Sequence, residues 1–170
     1  MGKIIAITNC KGGVGKTATA LNLGAALCAA GKAVLVVDND PQGNLTAALG
    51  YTPAEQKNTL AKLILSQIDA PEDLELYFPR TVLHAPSGFH LIPANRRLAD
   101  AAMRLQVMQL SQYGVGGSME CPCEQVMARI LSHVRDAYDY ILIDCGLKHE
   151  LLTINALAAS HYCTIPVQSH

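Results

Sequence analysis

Apolar runs, polar loops and helical periodicity follow one another along this chain in a regular order. Residues 3–8 are a short run rich in isoleucine, and residues 33–37 are a second apolar run. Continuous apolar runs of this length are typical of strands buried on both faces of a parallel sheet. Between them, apolar residues recur at helical spacing over 16–30, and Gly31 follows as a helix-ending residue. We therefore predict a strand–helix–strand unit with a right-handed crossover.

The same alternation continues, less regularly, to the end of the sequence. Further strands are predicted at 89–92, 140–144 and 162–167. Further helices are predicted at 44–49, 59–67, 96–112, 123–137 and 151–160. Strands that alternate with helices, without an internal repeat, predict an α/β fold in which a mostly parallel sheet is flanked by helices. No linker is evident, so we expect residues 1–170 to form a single domain.

The composition is that of a folded chain with little net charge. Of the 170 residues, 50% are hydrophobic and 16% are charged, and the formal net charge is −1. These values exclude intrinsic disorder and argue against a wholly basic nucleic-acid binder. No charge-free stretch reads as the roughly 20 apolar residues that span a membrane, and no signal peptide is visible. We expect a cytoplasmic protein without a membrane partner.

The six cysteines are expected to be reduced thiols in that compartment. Four of them lie in or beside apolar segments, where cysteine behaves as a small hydrophobic residue: Cys10, Cys28, Cys145 and Cys163. Two zinc sites are alternatives, one at residues 121–123 (Cys-Pro-Cys) and one that combines Cys145 and Cys163 with His149 and His161. Neither has the usual spacing of zinc ligands, so packing is favoured.

A loop rich in glycine and lysine, residues 11–17 (KGGVGKT), joins the first predicted strand to the first helix. Its glycines let successive backbone N–H groups turn inward, and the helix N-terminus adds partial positive charge, so the loop is suited to phosphate. Lys16 can reach the β- and γ-phosphates, and the Thr17 hydroxyl is placed to coordinate Mg²⁺. The other binding positions predicted here are Gly12, Gly13, Val14, Gly15 and Ala18. A plain glycine turn that caps the helix is the alternative.

Carboxylates follow two of the predicted strands. Asp38 and Asp40 come directly after residues 33–37, and Asp144 ends the strand at 140–144. Open parallel sheets bind ligands at the carboxyl ends of their strands, so these groups are expected beside the phosphate loop. Asp144 has the position of a metal-shell carboxylate. For Asp40 a plain Asp-Pro turn is the alternative.

The loop departs from the general G-x-x-x-x-G-K-[ST] pattern, because Cys10 replaces the first glycine and Lys11 adds a second lysine. This arrangement resembles the deviant Walker A motif of the ParA/MinD class of ATPases. Residues 38–44 (DNDPQGN) resemble a box of the ParA (Soj-type) partition proteins. The similarity runs nearly from end to end. It implies a P-loop NTPase fold, a Rossmann-like three-layer α/β/α arrangement, with ATP and Mg²⁺ as ligands.

The resemblance also implies residue roles and partners. Lys11 would reach the partner's ATP in a nucleotide-sandwich dimer, Lys16 is the ordinary loop lysine, and Asp40 would orient the attacking water. The metal would be held by Thr17, Asp38 and Asp144. The implied function is a partition-type ATPase that switches between monomer and dimer in chromosome or plasmid segregation. Its implied partners are a ParB-like activator, a second copy of the chain and non-specific DNA, which would make it nucleoid-associated.

Several features depart from that family. Residues 145–150 (CGLKHE) replace the usual Pro-Pro-Ser-Leu, and Ala18 replaces a second threonine. The sequence stops after the strand predicted to end at 167, so we expect the usual C-terminal part to be missing. A basic patch of Arg96, Arg97 and Arg104 is better explained as a solvated helix face than as a DNA footprint. The alternatives are a nucleotide-binding module without turnover, a truncated fragment, and the MinD or nitrogenase iron protein branches.

Overall fold

A computed structural model describes residues 2–113, 122–147 and 150–168, and its centre is a six-stranded sheet. The strands are β1 (Lys3–Ile7), β2 (Val34–Asn39), β3 (Leu83–His84), β4 (His90–Ile92), β5 (Tyr140–Cys145) and β6 (Tyr162–Thr164). Their order across the sheet is β3-β4-β2-β5-β1-β6. The pair β3–β4 is antiparallel, and the other pairs are parallel. The predicted α/β fold with a mostly parallel sheet is confirmed.

Helices cover both faces of this sheet. They are α1 (Lys16–Ala29), α2 (Asn44–Ala48), α3 (Leu60–Asp69), α4 (Leu74–Thr81), α5 (Arg97–Tyr113), α6 (Val126–Ser132) and α7 (Glu150–Ala159). Short 3-10 turns occupy Pro53–Glu55, Pro71–Asp73 and Cys123–Gln125. All residues of the strand β2 are buried, which accounts for its apolar sequence. Leu35 and Val37 pack into the core layer under α3 and α5, and Val34 and Val36 pack into the opposite layer under α1.

The helix α1 approaches the sheet at Gly24. A Cβ built there would lie 3.1 Å from Val36 Cγ2 and 3.2 Å from a ring carbon of Phe89. A larger side chain would push α1 outward, so glycine at this position keeps the start of α1 close to the strand ends that carry the predicted site.

The structure differs from the sequence prediction in several elements. The helix α4 was not predicted, because Pro79 lies inside it and proline disfavours helix interiors. The predicted helix over 123–137 is wrong at both ends, since it begins as a 3-10 turn and α6 ends at Ser132. The strand β6 ends at Thr164 rather than 167, because its pairing with β1 stops there. The glycine-rich segment 114–118 lies outside the described residues.

Two of the cysteine predictions are wrong. Cys10 and Cys163 are exposed, whereas Cys145 is buried as expected and Cys28 is half-buried. His161 is engaged by the backbone, because its Nδ1 accepts a hydrogen bond from the N–H of Ile4 at 2.9 Å. In the described ranges, no group of three or more His, Cys, Asp or Glu residues could hold a metal; Cys121 and His149 lie outside those ranges.

Within residues 2–113, 122–147 and 150–168, no helix combines the length and the apolar character needed to cross a membrane.

Candidate phosphate and metal site

The topology brings the predicted site segments to one edge of the sheet. The strands β2, β5 and β1 are neighbours, and all run in the same direction. In the pairing register, Asp144 lies opposite Ile7 on one side and opposite Asp38 on the other. The loop after β1 and the carboxylates after β2 and β5 therefore meet at the carboxyl ends of three adjacent strands, as the sequence predicted.

The loop after β1 has the backbone that its glycines permit. Gly13 and Gly15 have φ angles of 71° and 88°, in the left-handed region that favours glycine. Asn9 anchors the loop, because its Oδ1 accepts a hydrogen bond from the Lys11 N–H and its Nδ2 donates to the Pro166 carbonyl. No side chain in the described part of the chain caps the start of α1, and its first turn has no acidic residue. The first N–H groups of α1 are therefore available to an anion.

The two lysines of the loop lie in different environments. Lys16 is only 9% exposed, and its Nζ donates hydrogen bonds to the carbonyls of Asn9 at 3.1 Å and Lys11 at 3.3 Å. Its ammonium group is thus held inside the curve of the loop. Lys11 is exposed. One cation therefore belongs to the loop, and the other faces away from the core.

A cavity of about 310 Å³ lies against the loop. Its lining is Gly13, Val14, Gly15, Lys16, Thr17, Ala18, Asp40, Asn44, Cys145 and Leu147. Most of the predicted binding positions are in this set, together with Asp40. The predicted site residues outside the lining are Lys11, Gly12, Asp38 and Asp144. The volume is at the lower end of the range for small-molecule sites, and it suits a phosphate chain better than a whole nucleotide.

Asp144 is not a lining residue, but it precedes the lining residue Cys145 and has an unmatched carboxylate oxygen. It is 2% exposed, and among the described residues Oδ1 has no hydrogen-bond partner. Burial raises the pKa of Asp144 to about 7, against the hydrogen bond from the Thr17 side chain, which lowers it. Carboxylate and hydroxyl oxygens are ligands that Mg²⁺ takes. The pair Asp144 and Thr17 therefore fits a divalent cation beside the phosphate loop.

Asp38, which was predicted to lie near the metal, is hydrogen-bonded to neighbouring protein groups. It is fully buried and is absent from the cavity lining. Its Oδ2 accepts hydrogen bonds from the Thr46 N–H at 2.9 Å and the Thr46 hydroxyl at 2.6 Å, and its Oδ1 accepts one from the Asp40 N–H at 3.3 Å. Burial raises the pKa of Asp38 to about 6, although these hydrogen bonds lower it. Asp38 thus organises the turn that carries Asp40.

Thr46 and Gln168 are site residues to which the sequence reasoning gave no role. Besides binding Asp38, the Thr46 hydroxyl accepts a hydrogen bond from the N–H of Ala94, and so joins the segments after β2 and β4. Gln168 Nε2 donates to the carbonyl of Gly13 at 2.9 Å. In the sequence, Thr46 could be recognised only as a threonine in the first turn of the helix predicted at 44–49. The hydrophobic pattern of these residues does not show whether that threonine is buried or exposed.

Asp40 lines the cavity and is half-buried. Its Oδ1 accepts a hydrogen bond from the Gln42 N–H at 3.0 Å, and its carbonyl accepts one from the Gly43 N–H at 2.9 Å. The turn predicted over 40–43 is therefore present, and it presents the carboxylate to the cavity. The two interpretations of this segment are compatible, because the turn is what positions Asp40.

One arginine of the predicted basic patch forms an ion pair. The Arg104 guanidinium lies 2.8 Å from the Asp69 carboxylate, and both side chains are partly exposed. Arg96 and Arg97 are exposed at the start of α5. With Arg104 partnered, the patch consists of two adjacent arginines, which is a small footprint for nucleic acid.

Comparison with known proteins places the chain in a family. Residues 2–170 match a family model described as an AAA domain. The chain belongs to this AAA domain family. It is 44% identical over 168 residues to the sporulation initiation inhibitor protein Soj of Bacillus subtilis, and this match covers 99% of the chain and 59% of Soj. It is 33% identical over 169 residues to the chromosome partitioning protein ParA of Caulobacter vibrioides, covering 98% of the chain and 56% of ParA.

Solved structures similar to this AAA domain have the same fold. Cobyrinic acid a,c-diamide synthase from Mycobacterium smegmatis, with bound ADP and magnesium, matches with a TM-score of 0.81 and 32% identity, over 98% of the chain and 60% of the synthase. Apo McdA from Cyanothece matches with a TM-score of 0.75 and 28% identity, over 98% of the chain and 58% of McdA.

These matches confirm the resemblance to Soj and ParA and the P-loop NTPase fold of this AAA domain. The chain spans less than two thirds of the length of these relatives. The roles of Lys11, Lys16 and the three aspartates remain predictions.

Proposed function

We propose that this AAA domain binds Mg-ATP at the loop after β1 and acts as the nucleotide-hydrolysing part of a partition-type ATPase. One observation carries the proposal: the phosphate loop, the Lys16 side chain and Thr17 line one cavity, and Thr17 is hydrogen-bonded to Asp144, whose Oδ1 has no partner among the described residues. A phosphate chain and a divalent cation would satisfy these groups together. The synthase with bound ADP and magnesium, which has the same fold, supports this ligand.

Each group has a distinct role in this proposal. The backbone of residues 12–18 and Lys16 hold the phosphates, while Thr17 and Asp144 hold the cation. When bound, Mg²⁺ neutralises charge on the phosphate oxygens, and ATP supplies the transferable phosphoryl group. Asp40 orients a water molecule from the turn that Gln42 stabilises. Asp38 acts indirectly by supporting the turn that carries Asp40, because its oxygens accept hydrogen bonds from Thr46 and from the Asp40 N–H.

The switching cycle and the partners belong to the same proposal. The exposed Lys11 is free to reach a second copy of the chain, so ATP binding would favour a dimer that segregates chromosomes or plasmids in the cytoplasm. The similarity of the chain to Soj and ParA supports a ParB-like protein as its activator. Non-specific DNA is the least supported partner, because the arginine patch of α5 is small.

A nucleotide-binding module without turnover is the second candidate. Leu147 favours it: this exposed apolar side chain lines the cavity, and its Cδ1 would lie 3.2 Å from a Cβ on Gly12. It belongs to the segment that departs from the Pro-Pro-Ser-Leu sequence of the partition proteins. An apolar group there supplies no polar contact to a phosphate or a water molecule.

Two assays on the same samples test the proposal and separate these candidates. Mg-ATP should raise the melting temperature of the wild type, and phosphate release should follow at a rate that increases with protein concentration. Lys16→Ala should abolish both effects, whereas Lys32→Ala, which removes an exposed lysine at the opposite end of β2, should retain them. A thermal shift without phosphate release would favour the binding module, and the absence of any shift would refute both candidates.

A further inference from the structure

We infer that Asn9 is a positioning residue for both lysines of the phosphate loop. Its backbone carbonyl holds the Lys16 ammonium, its side chain holds the backbone at Lys11, and the segment after β6 holds Asn9 itself. This inference rests on the proposed function, which gives the two lysines separate roles toward ATP.

Asn9 makes a direct hydrogen bond to each lysine. The Lys16 ammonium donates to the Asn9 carbonyl at 3.1 Å, and the Lys11 N–H donates to Asn9 Oδ1 at 2.9 Å. The second bond closes a turn in which an asparagine side chain replaces a backbone acceptor. The Lys11 carbonyl, which is the other acceptor of Lys16, lies at the end of this turn. Both carbonyls that hold Lys16 therefore depend on Asn9.

The start of the loop is held by side chains and not by backbone pairing. In residues 2–113, 122–147 and 150–168, no well-formed hydrogen bond joins a backbone group of residues 9–14 to another backbone group. The bonds to this stretch come from Asn9, from Lys16 and from Gln168, whose Nε2 donates to the Gly13 carbonyl at 2.9 Å. Loss of Asn9 therefore removes contacts that no backbone pairing replaces.

Asn9 is fixed in turn by the segment after β6. The pairing of β1 with β6 continues past the end of β1, because the Thr8 N–H donates to the Thr164 carbonyl at 3.0 Å. Directly beyond it, Asn9 Nδ2 donates to the Pro166 carbonyl at 2.8 Å. The half-buried Asn9 side chain thus connects the sheet edge to the loop through one amide group.

An asparagine suits this position because its short side chain has an acceptor and a donor. Alanine removes both groups. Serine is a conservative replacement, because a hydroxyl can accept a hydrogen bond from a nearby backbone N–H in turns of this kind. A nucleotide binds only those molecules whose loop has the competent shape, so its apparent affinity should fall with that fraction.

Titration of Mg-ADP into the Asn9 variants tests the role toward Lys16. Asn9→Ala should raise the dissociation constant about tenfold, which corresponds to about 1.4 kcal/mol and to the loss of one or two net hydrogen bonds. Asn9→Ser should recover most of this loss. Gln109→Ala, which removes an amide side chain of α5 that bonds to Glu124, is the control and should bind like the wild type. Equal affinities of Asn9→Ala and the wild type, or no recovery by serine, would overturn the inference.

A double-mutant cycle with Lys11→Ala tests the role toward Lys11. At saturating Mg-ATP, Asn9→Ala should slow phosphate release about tenfold in the wild type and less than about threefold in the Lys11→Ala background, because a misplaced group and a missing group have the same consequence. Saturation removes the effect on affinity from this comparison. Equal losses in the two backgrounds would overturn the inference.

Hydrogen exchange of the Lys11 amide tests the contact without nucleotide. This amide should exchange at least about fivefold faster in Asn9→Ala than in the wild type, while the amides of β2 exchange equally in both proteins. If the wild type neither binds nor hydrolyses ATP, the proposed function fails, and faster exchange in Asn9→Ala would still support the control of the loop by Asn9. Equal exchange of the Lys11 amide in the two proteins would overturn the inference in either case.

Discussion

Replacing Asp144 with asparagine should make the ligand-free protein more stable while removing its response to Mg-ATP. Asp144 is almost completely buried, and one of its oxygens has no partner among the described residues. Asparagine has nearly the same shape but carries no charge. The substitution therefore removes a buried charge that, in our proposal, is present for the cation and not for the fold.

The size of the effect follows from linkage. The pKa of Asp144 rises from its ordinary value of 3.8 to about 7, chiefly because of burial. The folded state thus binds more protons than the unfolded state between these values, so stability falls as the pH rises through this window. A shift of about three units corresponds to roughly 4 kcal/mol above pH 7. In a protein of this size, the Asp144→Asn variant should melt roughly 8–16 °C higher than the wild type at pH 8.

Thermal unfolding at pH 5 and pH 8 measures this effect. The advantage of Asp144→Asn should be large at pH 8 and should shrink at pH 5, where the wild-type carboxyl is protonated in the folded state. Asp100→Asn, on the exposed face of α5, is the control and should change the melting temperature little at either pH. A variant that melts below the wild type at pH 8, or one that Mg-ATP still stabilises fully, would refute the reasoning.

Three further substitutions test interactions elsewhere in the fold. Asn155→Leu should lower the free energy of unfolding by about 3 kcal/mol in urea titrations, because it removes the buried hydrogen bonds that Asn155 makes to the Met127 N–H and to the Cys123 carbonyl; a loss below about 1 kcal/mol would contradict this. Gly2→Ala should cost about 1–3 kcal/mol, because its Cβ would overlap the Tyr138 carbonyl, whereas the exposed Lys3→Ala should be neutral. Burial and the nearby His84 lower the pKa of His90, so the contribution of this side chain to stability should fall as the pH drops below about 6.5, opposite in sign to the contribution of Asp144. The melting temperature of His90→Gln relative to the wild type should therefore rise between pH 7 and pH 5, and a difference that does not change with pH would exclude this role of His90.

Much of the site could be predicted from sequence because its chemistry is local. The glycines and lysines of residues 11–17 occur in an order that a phosphate loop requires, and Asp40 and Asp144 follow strands whose ends must meet in a parallel sheet. The environment of Asp38 could not be predicted, because it depends on two hydrogen bonds that Thr46 of α2 donates to Asp38 Oδ2.

The strands and helices also differ in whether their own residues or their distant partners determine them. The strands β2 and β5 are buried on both faces, so their apolar runs identified them without knowledge of their neighbours. The strand β3 has two residues and exists only through its pairing with β4, and α4 contains Pro79, so neither has a local signal. The length of β6 is set by its partner β1, which its own sequence does not specify.

Calorimetric titration of ATP into the wild-type chain tests the central claim most directly, namely that the loop after β1 and the Asp144 carboxylate form a Mg-ATP site. We predict binding in the presence of Mg²⁺, binding at least about tenfold weaker when Mg²⁺ is chelated, and no measurable binding to Lys16→Ala. Binding that is equal with and without Mg²⁺, or that is retained by Lys16→Ala, would contradict the account.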